Sequence, residues 1–484
     1  MTTPDPGSAT ASPASPSQRW VPFLVAGAFF MEMLDATVIT TALPDMGRSF
    51  GVEPARLSIG ISAYMLALAV FIPISGWLAD RYGPRRVFAS AIAVFTLASV
   101  WCGLSSSLWE FTAARVFQGL GGAMMVPVGR LVVLRGTAKK DLVRAIATIT
   151  WPGLAAPVIG PPVGGWITTW LSWHWIFFLN LPLGLLALVM TLRLIRGPAD
   201  GAGPFDVFGF VLSGVSLSAL MLGLEFASQP QMNLWLAFGM VAAGVAGMVF
   251  TVRHWRRTPH PLIDLSALRV PTFAVTLVGG SLFRIAIASA PFLLPLMFQL
   301  AFGLSAVTAG SLLFALFAGN LAIKPATSWV IRRFGFRRVL VVNGLLVGLG
   351  MAACGLLWAS VPLPLIAALL FVCGVTRSMQ FTAYNTIGFA DLRPPQMSGA
   401  TALFSVFQQM NAGFGIAFGA LALRVAQWSS GHVGATPAVG DFRIAFFLVA
   451  LVAFAGMIDS WMLARDAGSA VSGHSGQDGA TAAR

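Results

Sequence analysis

The sequence predicts an all-α integral membrane protein with about fourteen membrane-spanning helices. We expect two six-helix bundles related by a pseudo-two-fold axis, with two further helices inserted between them. Composition, hydropathy and an internal repeat support this class. The chain is 57% hydrophobic and only 10% charged, with a mean hydropathy of +0.81. Soluble domains carry roughly 25% charged residues, whereas apolar runs of about 20 residues match a hydrocarbon core of about 30 Å. We find none of the alternating segments of about 10 residues that a transmembrane barrel needs.

Hydropathy, with breaks at turn residues and charges, places the membrane spans. The predicted spans are 20–43, 57–79, 87–106, 108–134, 144–169, 174–195, 207–228, 233–252, 272–301, 304–331, 338–359, 362–387, 397–426 and 443–464. We divide the chain into a disordered tail (1–19), a six-helix bundle (20–196), a two-helix insert with its loops (197–270), a second bundle (271–465) and a second disordered tail (466–484). The first tail lacks the basic start of a signal peptide, so we expect no cleavage.

The net charge of +13 reflects topology. Most basic residues fall in alternate loops, such as 81–86, 135–144 and 332–338, and few fall on the other side. The positive-inside rule therefore predicts that both termini are cytoplasmic. We expect the basic loops to contact anionic membrane lipid and see no reason to expect a nucleic-acid partner. The cysteines lie in apolar runs and form neither a disulfide pattern nor a metal site.

The chain contains an internal repeat. Residues 76–87 read GWLADRYGPRRV and residues 328–339 read SWVIRRFGFRRV, with Trp, Arg, Gly, Arg, Arg and Val at equivalent positions. Both copies lie in short predicted cytoplasmic loops, after the second and tenth spans. Spans 1–6 and 9–14 are therefore predicted to be homologous halves. Such halves frame a site near the membrane midplane that opens alternately to each side.

Several ordered motifs carry a family resemblance. They are Gly76-Trp-Leu-Ala-Asp80-Arg81-Tyr-Gly83-Pro-Arg85-Arg86, Leu34-Asp35-Ala-Thr37-Val-Ile-Thr-Thr-Ala-Leu43-Pro44, Arg115-Val-Phe-Gln118-Gly119-Leu-Gly121-Gly122, Gly160-Pro161-Pro162-Val-Gly164-Gly165 and Ser172-Trp-His-Trp-Ile-Phe-Phe-Leu-Asn180-Leu-Pro-Leu-Gly184. Together they resemble the major facilitator superfamily, and in particular its fourteen-helix drug:proton antiporter branch. The stretch Gln380-Phe-Thr-Ala-Tyr384-Asn385-Thr386, with Lys324, is most similar to the MdtD-like subgroup of multidrug exporters.

The resemblance implies proton-coupled efflux of small molecules by alternating access, in the inner membrane of a bacterial-type cell. It implies a monomer that uses the proton gradient and needs no cofactor or metal. The first motif would form a conformational latch, comprising Gly76, Asp80, Arg81, Gly83, Arg85 and Arg86. In the second copy Arg332 stands at the position of Asp80, so a latch there would be weaker or differently paired.

The fifth span carries the pattern of an antiporter helix. A GxxxG pair lets helices approach closely, and prolines bend a helix and free backbone carbonyls. With the resemblance, this predicts a pliable contact between the two halves, and static packing is the alternative. The residues are Gly153, Pro157, Gly160, Pro161, Gly164 and Gly165.

Charges inside membrane spans are functional by default, because each costs about 2.5–3.5 kcal/mol at a helix centre. Glu32 and Asp35 share one face of the first span. Two carboxylates in a low-dielectric site do not readily ionise together, which suits proton carriage. Arg115 is the partner that the family resemblance implies. We predict that these three residues couple transport to protons, and a structural ion pair is the alternative.

Three spans of the second half carry Arg284, Lys324 and Arg377 without an acid in the same spans, and Arg130 adds another cation. Unpaired buried cations are costly, so a ligand or an aqueous cavity would compensate them. This favours neutral or anionic cargo, and an exporter of organic anions or metal–carboxylate chelates is an alternative to a multidrug exporter. Cations that snorkel to an interface are the simpler explanation, above all for Arg130. The predicted substrate cavity contains Arg284, Lys324, Arg377, Gln118, Gln299, Asn320, Gln380, Tyr384, Asn385 and Gln408, although intramembrane amides also hold helices together.

Other function classes find little support in the sequence. It has no Walker-type phosphate loop, metal-ligand cluster or nucleophile elbow, so we do not expect an enzyme. A channel would need a pore-lining repeat. A membrane sensor or scaffold of the same fold is a more distant alternative, since it would not need embedded carboxylates.

Overall fold

The computed structural model describes residues 20–195, 199, 201–228, 234–431 and 436–473, and these residues contain helices and no strand. The membrane-length helices are α1 (Val21–Phe50), α2 (Ser58–Tyr82), α3 (Pro84–Leu104), α4 (Leu108–Gly136), α5 (Leu142–Trp170), α6 (His174–Leu194), α7 (Val207–Ser228), α8 (Leu234–Arg257), α9 (Pro271–Ala301), α10 (Ala306–Ala322), α11 (Lys324–Gly355), α12 (Leu363–Ala390), α13 (Met397–Ser429) and α14 (Val439–Trp461). Short helical turns lie at Pro54–Leu57, Lys139–Asp141, Leu265–Arg269, Pro394–Gln396 and Ser469–Ser472.

The helices confirm the predicted all-α membrane class. Among the described residues, 12 helices are long and apolar enough to cross a membrane. Helices α5 and α10 are not among these 12, because their apolar stretches, Leu142–Trp151 and Thr308–Ala322, are shorter. The predicted count of fourteen is therefore not fully confirmed, although a helix lies at each predicted span.

Large apolar side chains cover the outside of the bundle. Leu97 on α3 is 69% exposed, Phe238 on α8 is 68% exposed and Leu451 on α14 is 65% exposed. Soluble monomers rarely expose large contiguous apolar patches. Hydrocarbon is the solvent that accommodates such a surface, so these faces are lipid-facing.

The two halves repeat one packing pattern. In the first half α1 packs on α5, α2 on α4, and α3 on both α4 and α6. In the second half α9 packs on α13, α10 on α12, and α11 on both α12 and α14. The helices therefore keep equivalent neighbours in the two halves, as a pseudo-two-fold arrangement requires. The domain boundaries, drawn from hydropathy, stay a prediction.

The repeated loop has the same backbone conformation in both halves. Gly83 has φ 87°, ψ 139° between α2 and α3, and Gly335 has φ 73°, ψ 160° inside α11, where it separates two helical segments. Only glycine adopts such positive φ values readily. The glycine in each copy therefore makes the sharp turn that follows the second helix of its half.

The inserted helices lie along the seam between the halves. α7 packs on α8, and it also contacts α2 of the first half and α13 of the second. Ser62 on α2 donates a hydrogen bond to the Glu225 carboxylate on α7. At the other end of α7, Asp206 accepts from the backbone N–H of Gly209 at 2.8 Å and lies 2.9 Å from His254 Nε2 on α8. Polar contacts therefore join one end of α7 to α2 and the other end to α8.

The prediction that residues 466–484 form a disordered tail is wrong for residues 466–473. The structure describes these residues, and Val471 among them is 1% exposed. The short helix Ser469–Ser472 packs on α11 and on the turn Lys139–Asp141 in the first half. Burial of an apolar side chain supplies the stability that composition alone did not reveal. The tails 1–19 and 474–484 lie outside the described residues.

The GxxxG pair on α5 packs inside the first half, so for these glycines the expected contact between halves is wrong. A Cβ added to Gly160 would lie 2.9 Å from Thr37 Cβ, and one added to Gly164 would lie 3.0 Å from the Val38 carbonyl oxygen, both on α1. Gly165 has no atom within 4 Å of an added Cβ. The side chains at Gly153, Pro157 and Pro161 lie outside the described residues. The glycines therefore bring α5 against the helix that carries Asp35.

This contact predicts how α5 responds to small substitutions. We expect Gly160→Ala to lower the stability of the protein by about 1–3 kcal/mol, because the methyl group overpacks the α1–α5 contact. Gly165→Ala, five residues along the same helix, has open space and should leave stability unchanged. Thermal unfolding of the purified variants in detergent measures both. Equal melting temperatures for the two variants would contradict the assigned packing face.

Candidate functional site

The first signature loop joins the two halves through Asp80. Ser398 Oγ at the start of α13 donates to one carboxylate oxygen at 2.5 Å, and Arg135 Nη2 at the end of α4 lies 3.0 Å from the other. A Cβ on Gly76 would lie 2.9 Å from the Ser398 carbonyl oxygen, so glycine permits this close approach. Asp80 therefore connects a helix end of its own half to the opposite half, the geometry of a latch.

The arginines of the two loop copies cap equivalent helices. Arg85 Nη2 donates to the Leu192 carbonyl near the end of α6 at 2.5 Å, and Arg337 Nη2 donates to the Trp461 carbonyl at the end of α14 at 2.8 Å. A cation at a helix C-terminus is stabilised by the exposed carbonyls and the helix dipole. Arg81 and Arg86 are exposed. Both copies of the loop thus have an arginine that caps a helix, whereas an acid that bonds across the seam, Asp80, occurs only in the first copy.

A buried network surrounds Asp35 in the first half. Its carboxylate lies 2.6 Å from Arg115 Nη1 on α4, and it accepts hydrogen bonds from Gln118 Nε2 at 2.9 Å and Asn180 Nδ2 on α6 at 3.0 Å. All four side chains are at most 2% exposed. Ser99 Oγ on α3 accepts from the same Asn180 amide at 2.9 Å. The structure therefore unites Asp35, Arg115 and Gln118, so Gln118, predicted for the substrate cavity, belongs to this network.

Glu32 lies beside this network without a cation of its own. It is 3% exposed, and its Oε2 has no hydrogen-bond partner among the described residues. A Cβ on Gly122 of α4 would lie 3.4 Å from Glu32 Oε1 and 3.2 Å from Tyr64 Oη. The Tyr64 ring in turn lies under Arg115, whose Cζ is 4.2 Å from the ring centroid. Among the described residues, Arg115 is therefore ion-paired with Asp35, and Glu32 lies next to the network without an ion pair.

Two arginines from opposite halves meet on one aromatic ring. Arg130 Cζ on α4 lies 4.4 Å from the centroid of Phe404 on α13, and Arg284 Cζ on α9 lies 4.8 Å from the same centroid. Both arginines are at most 5% exposed. Arg130 donates to Gln408 Oε1 at 3.0 Å, so it bonds across the seam rather than snorkelling to an interface.

Lys324 is a further cation of the second half with neutral partners. Lys324 Nζ donates to Thr382 Oγ1 on α12 at 2.8 Å and to Thr150 Oγ1 on α5 at 3.3 Å, so it also crosses the seam. Arg284 Nη2 donates to Asn385 Oδ1, one helical turn beyond Thr382, at 3.0 Å. We call Arg130, Arg284, Lys324 and Phe404 the seam cluster.

The remaining predicted cavity residues are dispersed. Gln380 donates to the Leu340 carbonyl at 3.0 Å and Tyr384 donates to the Gly456 carbonyl at 2.8 Å, so both hold helices of the second half together. Gln299 is exposed in the π-helical turn that ends α9. Asn320 is fully buried on α10, and neither of its side-chain atoms has a partner in the described part of the chain. Arg377 is half-buried on α12, with an unpartnered Nη1.

The sequence did not identify several residues of the Asp35 network and of the surroundings of the seam cluster. Asn180 belongs to a quoted motif, and as a polar residue in a span it could have been assigned to the acid network. Phe404 and Thr150 carry no such signal, because apolar and hydroxyl side chains are common in membrane helices, whereas Thr382 lies in the quoted stretch 380–386. Their roles follow from which helices meet at the seam.

The geometry of the molecule defines its class. Two helical halves with repeated packing, a contact through Asp80 across their seam and charges buried inside apolar helices are the features of an alternating-access membrane transporter. The family model of the Major Facilitator Superfamily matches residues 25–416. The chain belongs to the major facilitator superfamily.

Similar proteins extend this result. The chain is 35% identical over 420 residues to a protein of Salmonella paratyphi A named as multidrug resistance protein MdtD, covering 86% of this chain and 88% of that protein. It is 36% identical over 447 residues to the Escherichia coli protein of the same name, covering 90% and 94%. The fold is similar to the human organic anion transporter MFSD10 (TM-score 0.64, 16% identity, 92% and 100% covered) and to the proton:xylose symporter XylE (0.62, 14%, 93% and 96%).

The latch predicts a conformational effect of Ser398→Ala. Loss of the hydrogen bond to Asp80 should weaken the contact between the halves at this end by about 1 kcal/mol, a shift of about five-fold in population. Double electron–electron resonance between spin labels at the exposed positions Arg144 and Arg393 should show more of the longer distance. The native cysteines are buried and should not take up label.

Ser429→Ala is the matched control for this experiment. Ser429 lies at the far end of α13, and its hydroxyl bonds within its own helix to the Ala426 carbonyl. We expect the same distance distribution as in the unsubstituted protein. An unchanged distribution for Ser398→Ala would remove the latch role of this contact.

Proposed function

We propose that this protein is a proton-coupled antiporter that exports small molecules by alternating access. The observation that carries the proposal is the pair of buried carboxylates on α1, Glu32 and Asp35, of which only Asp35 has an ion-pair partner, Arg115, among the described residues. Arg115 balances one negative charge, so the second carboxylate either holds a proton or carries an unbalanced charge. An unbalanced buried charge is costly, and a proton that can leave and return is what coupling to a gradient needs.

Packing connects this proton site to the moving parts. α1 carries both carboxylates, and α5 lies against α1 through Gly160 and Gly164. α5 also contacts α10 and α12 of the opposite half. A change of protonation that shifts α1 would therefore reach the seam through α5. The Asp80 latch holds the seam closed at the loop end.

The setting of the protein follows from the basic loops and the family. We propose a multi-pass protein of the inner membrane with both termini in the cytoplasm, so that the latch closes the cytoplasmic end. The proton gradient is the energy source, and the transporter uses no cofactor or resident metal. It acts as a monomer, and it is a transporter rather than an enzyme. The relatives named as multidrug resistance proteins support export of varied small molecules.

A second candidate function is favoured by the seam cluster. An exporter of organic anions or metal–carboxylate chelates would use cations inside the membrane that no acid neutralises. Exporters of lipophilic cations would instead need acids facing the cargo. The two candidates share the proton site and differ in cargo.

The proposal predicts that Glu32→Gln uncouples transport from protons. We expect drug-dependent proton flux in proteoliposomes to fall by about ten-fold or more, because a neutral amide cannot exchange the proton that the buried carboxylate holds. Glu32→Gln leaves the Asp35–Arg115 pair intact, whereas breaking that pair would cost about 3–5 kcal/mol and confuse the result. Flux is followed with a pH dye inside the vesicles, against a panel of lipophilic cations, neutral drugs and carboxylate chelates.

Asp45→Asn on the same helix is the control. Asp45 is ion-paired with Arg48, whose side chain is 80% exposed, and its substitution should leave proton flux unchanged. Cargo movement without protons would contradict the antiport mechanism. A proton leak without cargo would indicate a channel, and absence of both would indicate a sensor or scaffold.

A further inference from the structure

We infer that the seam cluster binds the carboxylate of an aromatic organic anion and that this anion allows the loop end of the transporter to close. The inference rests on the proposed function, and it specifies the cargo class and the site. The cations come from both halves: Arg130 lies on α4, whereas Arg284 lies on α9 and Lys324 begins α11.

The contacts of these cations are with neutral groups. Arg130 donates to Gln408 and Ser405, Arg284 to the Thr276 carbonyl and Asn385, and Lys324 to threonine hydroxyls. No carboxylate lies within ion-pair distance of these three residues in the described part of the chain. Buried charges are normally paired with an opposite charge. The cluster already has neutral hydrogen-bond partners, so what it lacks is a negative charge.

The unsatisfied atoms near Arg284 are donors. Arg284 Nε and Asn385 Nδ2 are buried without a hydrogen-bond partner among the described residues, and Asn385 Oδ1 is already used by Arg284 itself. Buried polar groups normally have partners. Donors left over beside a cation need an acceptor, and a carboxylate offers two oxygens that a guanidinium can bind in parallel.

The surroundings select an aromatic anion over a small inorganic one. Phe404 contacts both arginines through its ring, and Arg284 Cζ is also 5.7 Å from the centroid of Phe381. Aromatic rings and guanidinium planes stack on flat aromatic molecules. A carboxylate attached to an aromatic body therefore finds both its charge partners and its apolar contacts in one place.

The position of the cluster connects binding to closure. Arg130 and Lys324 both bond across the seam, near the end of α4 and the start of α5, on the same side as the Asp80 latch. In this arrangement, where the Asp80 contact joins the halves, Arg130 and Arg284 already meet at Phe404, and like charges repel strongly where the dielectric constant is low. A bound anion cancels the repulsion, so closure becomes favourable once the cargo is loaded.

Binding is tested with 2-naphthoate and its neutral amide, 2-naphthamide, on the purified full-length protein in detergent. We expect naphthoate to bind at least about ten-fold more tightly than naphthamide, since bidentate pairing with arginine is available to the acid alone. Arg284→Gln and Arg130→Gln should each remove this preference. Arg48→Gln, at an exposed ion pair on α1, should retain it. Equal affinity for acid and amide in the unsubstituted protein would overturn the site.

Stability separates a binding role from simple packing. Without ligand, Arg130→Gln should melt at a higher temperature than the unsubstituted protein, because one of two facing cations is gone. If Arg130 only held the halves together, the variant would melt lower and keep its preference for naphthoate. Either of those two results would overturn the proposal for Arg130.

Closure is tested with the spin labels at positions 144 and 393. Naphthoate should raise the population of the short distance in the unsubstituted protein and leave it unchanged in Arg284→Gln. Binding without any change in distance would overturn the closure step. These measurements need no proton gradient, so a failure of proton coupling in vesicles leaves them interpretable, and loss of the naphthoate preference leaves the antiport test intact.

Discussion

Burial of the Asp35 carboxylate is the constraint on which the first half of the molecule depends. A carboxylate that is 2% exposed takes its hydrogen bonds from the protein, and here they come from Arg115 and Gln118 on α4 and Asn180 on α6. Because these donors lie on different helices, the charge fixes how the helices are rotated about their axes. Apolar packing in a membrane does not determine rotation as strongly, since lipid and protein interior are similarly apolar. The arrangement of the first half thus depends on a residue of the proposed proton-coupling site.

The buried charges differ between the two halves. The first half holds Glu32 and Asp35 with Arg115, whereas the second half holds Arg284 and Lys324, which meet neutral partners. The loops show the same asymmetry, because both copies retain the glycine turn and the capping arginine, whereas Asp80 has Arg332 as its counterpart. A duplicated scaffold therefore keeps its backbone while each copy carries a different charge.

Much of this could be predicted from the sequence. Hydropathy placed the helices, and the repeat of residues 76–87 at 328–339 predicted equivalent turns, which Gly83 and Gly335 confirm through their positive φ angles. The pairing of Asp35 with Arg115 was expected from motifs. The partner of the α5 glycines and the stacking at Phe404 were not, because spacing along a helix defines a face without saying which helix that face meets. The packed segment Ser469–Ser472 was missed because four residues contain too little pattern.

The place of α7 makes the two flanks of the transporter unequal towards molecules dissolved in the bilayer. On one flank α7 lies over the junction of α2 and α13. On the other flank α5 meets α10 directly, and Trp151 and Ile159 of α5 are 43% and 41% exposed. A lipophilic compound diffusing sideways in a leaflet therefore meets a shielded junction on the first flank and a bare one on the second. The inserted pair therefore gives a carrier with two similar halves an asymmetric lipid-facing surface.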